Sequence, residues 1–73
     1  MGSKYPILKP KEIIDVLKKK GFKFISQKGS HLKYTDGKNV VIIPNHTEIA
    51  KGTLKSILMQ ADIEFDEFIS LLS

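Results

Sequence analysis

Hydrophobic spacing changes twice along the chain, from a helical interval to an alternating one and back. From Lys9 to Lys20, Ile13, Ile14, Val16 and Leu17 recur at the intervals that build one buried stripe, which predicts an amphipathic helix. Pro10 stands near its first position, Glu12 and Asp15 lie in the early turns, and Lys18-Lys19-Lys20 suits the negative end of the helix dipole. Gly21 stops it. Segments 22–28, 31–35 and 39–43 are rich in aromatic and β-branched residues and predict three short strands. Gly29 marks the first turn between them, and Asp36-Gly37 signals a tight hairpin at the second. Pro44 ends the third strand because it has no N–H to give a ladder, and Asn45-His46-Thr47 forms a connection. A second helix begins near Lys51 to Thr53, with Leu54, Ile57, Leu58 and Ala61 as its buried face. Asp62 opens a last short helix whose stripe is Phe65, Phe68, Ile69 and Leu72. The expected class is α+β: helix, three antiparallel strands, helix and a short extra C-terminal helix, with the helices on one face of the sheet.

Strand register decides which side chains share a face. Taking Lys28-Gly29-Ser30 as a three-residue loop sets Gln27 opposite His31. Phe22, Phe24, Leu32 and Tyr34 then share one face, and Lys23, Gln27, His31, Lys33 and Thr35 the other. A two-residue loop puts Phe24 on the face of Lys33 and separates apolar from polar less well, so the longer loop is preferred. His31 is therefore expected to face solvent, and Tyr34 to belong to the core.

Composition narrows the function classes. With 73 residues the chain is expected to be a single domain, residues 1–8 being a flexible leader or expression remnant. A domain of this size buries only about 60 to 65 per cent of its unfolded surface. It has no cysteine to staple it, so its chemistry should lie on the surface rather than in a roomy interior. No apolar run approaches a membrane span of roughly 18 residues, and the first residues lack a signal-peptide stretch, so a cytoplasmic location is expected. Residues 1–61 hold all 12 basic residues, every one a lysine, against Glu12, Asp15, Asp36 and Glu48. Residues 62–73 hold four acids and no base. Such a cationic body is a footprint for a polyanion such as RNA.

Gln27-Lys28-Gly29-Ser30-His31 is the stretch best suited to chemistry. An imidazole titrates near neutrality and can move a proton, glycine lets backbone approach a phosphate, and lysine can hold its charge. RNA supplies its own nucleophile, the 2′-hydroxyl, so a nuclease acting without a metal needs a base and charge stabilisation. His31 is the candidate base. Lys28, Lys33 and the N–H groups of Gly29 and Ser30 are candidates to stabilise the developing charge. Lys51 and Lys55, at the positive end of the second helix, are candidates for flanking phosphates. His46 serves as an acid only if folding brings it within reach, and Ser30 has no triad context to make it a nucleophile. Two histidines 15 positions apart without cysteine make a poor metal site, and no cofactor is expected. Three readings stay open on these residues: a ribonuclease, an RNA-binding module without catalysis, and a pure protein-interaction domain.

The order of elements is similar to that of double-stranded-RNA-binding domains. At the residue level the chain resembles the HicA toxin family, also called YcfA-like, over about Lys11 to Leu72. The resemblance rests on Glu12-Ile13-Ile14 with Leu17, Gly21-Phe22, Gln27-Lys28-Gly29-Ser30-His31 with Tyr34, and Pro44 with His46. It continues in Gly52-Thr53-Leu54, Ile57-Leu58, Gln60-Ala61, and Phe65 with Phe68. It implies a metal-independent messenger-RNA interferase that arrests translation and growth and is held inactive by a HicB-type antitoxin. The family's catalytic histidine lies in its Gly-Ser-His motif, which is His31 here. Asp62 departs from the family, which commonly has glycine after Gln-Ala.

Overall fold

Each predicted segment forms an element, and the departures lie at the joins. The computed structural model describes residues 7–72, in the order α1 (Pro10–Lys19), β1 (Lys23–Lys28), β2 (His31–Thr35), β3 (Val40–Pro44), α2 (Lys51–Ala61) and α3 (Phe65–Leu71). The strands form one antiparallel sheet in the order β1-β2-β3. This is the expected α+β architecture. None of the described helices is long and apolar enough to cross a membrane. Residues 1–6 of the segment read as a leader lie outside the described residues. Leu8, its last residue, is buried and pairs with Ile49, whose N–H donates to the Leu8 carbonyl at 2.6 Å.

Helix α1 starts at Pro10, where the missing N–H costs nothing, and the Lys9 N–H donates to the Glu12 carboxylate at 2.9 Å. It ends as the lysine run and Gly21 foretell. Gly21 takes φ +91°, Phe22 N–H reaches the Leu17 carbonyl at 2.9 Å, and Gly21 N–H reaches Lys18 at 3.0 Å. Lys19 Nζ donates to the Leu71 carbonyl, and Lys20 pairs with Glu67, so two of the three lysines tie α1 to α3.

The core lies between the helices and one face of the sheet. Ile13, Val16 and Leu17 of α1, Leu54, Ile57, Leu58 and Ala61 of α2, and Phe68 of α3 meet Tyr34, Val41 and Ile43 there. All four residues expected on the buried face of α2 are buried. Ile49 and Ile63, which have no helical or alternating context, are buried as well. On the helical side, Gln60 Oε1 accepts the Ile42 N–H at 2.9 Å and so satisfies a donor on the outer edge of β3.

Three expectations change. Asp62 does not open α3; it closes α2 in the left-handed conformation (φ +59°), and α3 begins at Phe65 after Glu64. Ile63 N–H donates to the Leu58 carbonyl across that bend at 3.0 Å, the same closure that Gly21 makes for α1. The N-cap thus moves two residues on, to Glu64, and Leu71 packs on the core with Phe65, Phe68 and Leu72, while Ile69 is exposed. Pro44 belongs to β3 as its last residue, opposite His31, at a strand end where no donor is required.

The third change is in register. The turn between β1 and β2 has two residues, Gly29 and Ser30, so Lys28 and not Gln27 lies opposite His31. Gly29 at φ +60° in the first central position, with no positive φ at Ser30, is the pattern of a type II′ hairpin turn. The conflict that favoured a longer loop, Phe24 on the polar face, is removed by a β-bulge. Pairing passes from Phe24↔Tyr34 to Ser26↔Lys33, leaving Ile25 unpaired. Phe24 thereby keeps the face of Tyr34, with ring centroids 5.6 Å apart at 71°. It remains half-exposed because the core does not extend beneath β1.

Candidate functional site

The sheet face away from the helices carries the candidate chemistry. Alternation and the observed pairing put Lys23, Ser26 and Lys28 of β1 on it, His31, Lys33 and Thr35 of β2 beside them, and Val40, Ile42 and Pro44 of β3 beyond. None of these nine positions is a carboxylate. Three lysines and a histidine therefore share a surface with no internal counter-charge, which makes it attractive to phosphate.

Ser26, Lys28, His31, Lys33 and Ile42 line an open cavity of about 410 Å³ on this face. His31 sits at the start of β2, directly across from Lys28 and two residues from Lys33 on the same side. Its imidazole is exposed, and no hydrogen bond or ion pair engages it or the Lys28 and Lys33 ammonium groups among the described residues. The turn beneath it is braced from the other side: Gln27, expected on the polar face, is directed away by the register and its Nε2 donates to the Gly29 carbonyl at 3.0 Å.

The remaining candidates fall outside the cavity. His46 is exposed and does not line it, although the Asn45 N–H donates to the Ser30 carbonyl, which fixes the backbone just before His46 beside the turn. Lys51 occupies the first position of α2. Lys55 lines a separate hollow of about 400 Å³ with Leu58, Met59 and residues 62–65, at the join of α2 and α3. Tyr34 is buried, as expected, and burial pushes its phenol above the ordinary value, so it stays protonated at neutral pH. Ser26 and Ile42 also line the cavity, although no motif in the sequence marks them. The signal for Ser26 was the two-residue turn, because it restores Ser26, Lys28 and His31 to one face; Ile42 follows from pairing across β2 and β3.

In chemical terms the cavity offers a proton acceptor, two cations and open access. No group of three or more metal-ligating side chains of the His, Cys, Asp or Glu type occurs among the described residues. A search among curated proteins returns no match. A family model described as the HicA toxin of bacterial toxin-antitoxin matches residues 10–63. That span runs from the first residue of α1 to Ile63, just past the Asp62 that closes α2, and includes the whole sheet with His31 and its cavity, so the chain belongs to the HicA toxin family.

Proposed function

We propose that this toxin is a metal-independent endoribonuclease that cuts messenger RNA, with His31 as its general base, and that a HicB-type antitoxin neutralises it. The observation that carries the reading is the placement of one unengaged imidazole between Lys28 and Lys33 in a cavity on a carboxylate-free sheet face. His31 takes the proton of a 2′-hydroxyl, the 2′ oxygen attacks phosphorus, and the bond to the 5′ oxygen breaks. The products are a 2′,3′-cyclic phosphate and a 5′-hydroxyl, the leaving oxygen taking its proton from water. General-base catalysis of this kind supplies on the order of 100- to 10,000-fold. Lys28 and Lys33 offset the charge that builds on the phosphoryl oxygens, and the Gly29 and Ser30 N–H groups lie at the turn beside them. Lys51 and Lys55, on α2 and outside the cavity, have no assigned step in the cut. His46 has no assigned step.

Induction of the wild-type chain and of His31→Ala in bacterial cells tests this reading. Wild type is expected to degrade messenger RNA and halt growth, the variant to do neither while accumulating as folded protein, and co-expression of a HicB-type protein to restore growth. RNA binding without cleavage by either chain overturns the nuclease reading in favour of a non-catalytic binding module.

A further inference from the structure

The three strands lay three different rails on the open face. β1 presents Lys23, Ser26 and Lys28; β2 presents His31, Lys33 and Thr35; β3 presents only Val40, Ile42 and Pro44. Val40 is 49% exposed, and Ile42 and Pro44 are each partly exposed, so the third rail is an apolar strip on a solvent-facing surface. Ile42 pairs directly with Lys33, stands diagonal to His31, and forms the apolar wall of the cavity. Its backbone is held from behind by Gln60, which fixes the rail against α2.

We infer that the Val40-Ile42-Pro44 strip is the platform for the bases of an unpaired RNA strand, so that the site takes single-stranded and not duplex RNA. The inference rests on the nuclease reading for the position of the cut linkage. A strand whose phosphates follow the cations of β1 and β2 must direct its bases to one side, and β3 offers the side that is uncharged. The cations would bind a duplex backbone equally well, but the apolar rail would then face phosphate and ribose with nothing to cover it. The chemistry points the same way. Attack by a 2′ oxygen requires it to lie in line with the departing 5′ oxygen, an arrangement that regular A-form stacking prevents and an unpaired linkage can reach. Among the described residues, the turn beside His31 is only Gly29-Ser30, too short to follow a duplex across its groove. The strip spans about 13 Å, room for more than one unpaired base. Aliphatic contact also discriminates little among bases, so a weak base preference is expected at these positions.

Binding by the full-length His31→Ala protein separates this inference from the cleavage reading. The probes are a short single-stranded ribo-oligonucleotide, the same strand annealed to its complement, and the same strand with abasic residues at its centre. The expected order has the intact single strand bound best. Adding Ile42→Thr, which keeps a β-branched side chain and the backbone bond to Gln60, weakens that binding about fivefold, leaves the duplex unchanged, and has little further effect on the abasic strand. Circular dichroism checks that the variant folds, and Val40→Thr, placed at the exposed end of the strip, provides a second and milder lesion. Equal affinity for single strand and duplex, or an Ile42→Thr loss as large on the abasic strand as on the intact one, overturns the platform. If the single strand is bound through Ile42 but the wild-type chain cuts nothing, the nuclease reading fails and the platform stands.

Discussion

His31 was legible in the sequence as an exposed histidine, and its nearest partner was not. Alternation with buried Tyr34 three residues on sets His31 on the outer face whichever loop length is chosen. Lys28 joins it there only because the turn has two residues and the bulge at Ile25 absorbs the offset upstream, a compensation that no spacing in the sequence announces. Gly29 makes the short turn possible. Beyond its two chain neighbours, no heavy atom of the described residues lies within 4 Å of where its Cβ would stand, so the cost of a side chain is that of φ +60°. Gly29→Ala is expected to lower stability by about 1 kcal/mol, seen as a fall in melting temperature of roughly 4–8 °C for a domain of this size. RNA cleavage should weaken with it as the Lys28–His31 pair loosens. At the second turn, N–H donation from Asn39 and Lys38 holds the Asp36 carboxyl below its ordinary value. A depressed carboxyl pKa stabilises the fold above the unfolded value and loses that contribution as pH falls through the folded one. The Lys38 and Asn39 amide proton resonances are therefore expected to shift together in an NMR titration with a midpoint below 3.8.

At the scale of elements, the longest helix presents the face its spacing predicts and the shortest does not. Helix α2 repeats its buried positions over two full turns, and all four expected residues are buried. Helix α3 has only seven residues, and Asp62 resembles an N-cap by residue type while serving instead as a left-handed closing residue. Residue type alone cannot separate the two uses, because aspartate favours both helix starts and left-handed bends. The two closures make a matched comparison: Gly21 adopts its positive φ freely, whereas Asp62 carries a Cβ through the same bend. Asp62→Gly is accordingly expected to raise stability by about 0.5–1 kcal/mol in chemical denaturation, with no change in RNA cleavage. A decrease in stability would show that the Asp62 side chain contributes more to the α2–α3 join than its backbone strain costs.

For the molecule as a whole, charge and topology work together. Lysines dominate residues 1–61, but the pairs Lys11–Asp15 and Lys20–Glu67 and the bond from Lys19 to Leu71 engage part of that charge on the helical layer. The open face keeps Lys23, Lys28 and Lys33 without a carboxylate among them. Single-strand RNA affinity should therefore fall with salt at a log–log slope of about −2, each phosphate contact contributing roughly −0.7. Lys33→Gln should remove about one such contact. The cationic excess was visible in composition, but its segregation to the face of His31 required the register.

The chemistry of the cut ends decides whether the 2′-hydroxyl is the nucleophile and His31 its base. Purified wild-type chain is incubated with a synthetic single-stranded RNA and with the same strand carrying one 2′-deoxy nucleotide at the cut position. The expected result is 2′,3′-cyclic phosphate and 5′-hydroxyl ends, no cut at the deoxy linkage, and no cleavage by a folded His31→Ala variant. Ends bearing a 3′-hydroxyl and a 5′-phosphate, or undiminished cleavage by His31→Ala, would contradict it.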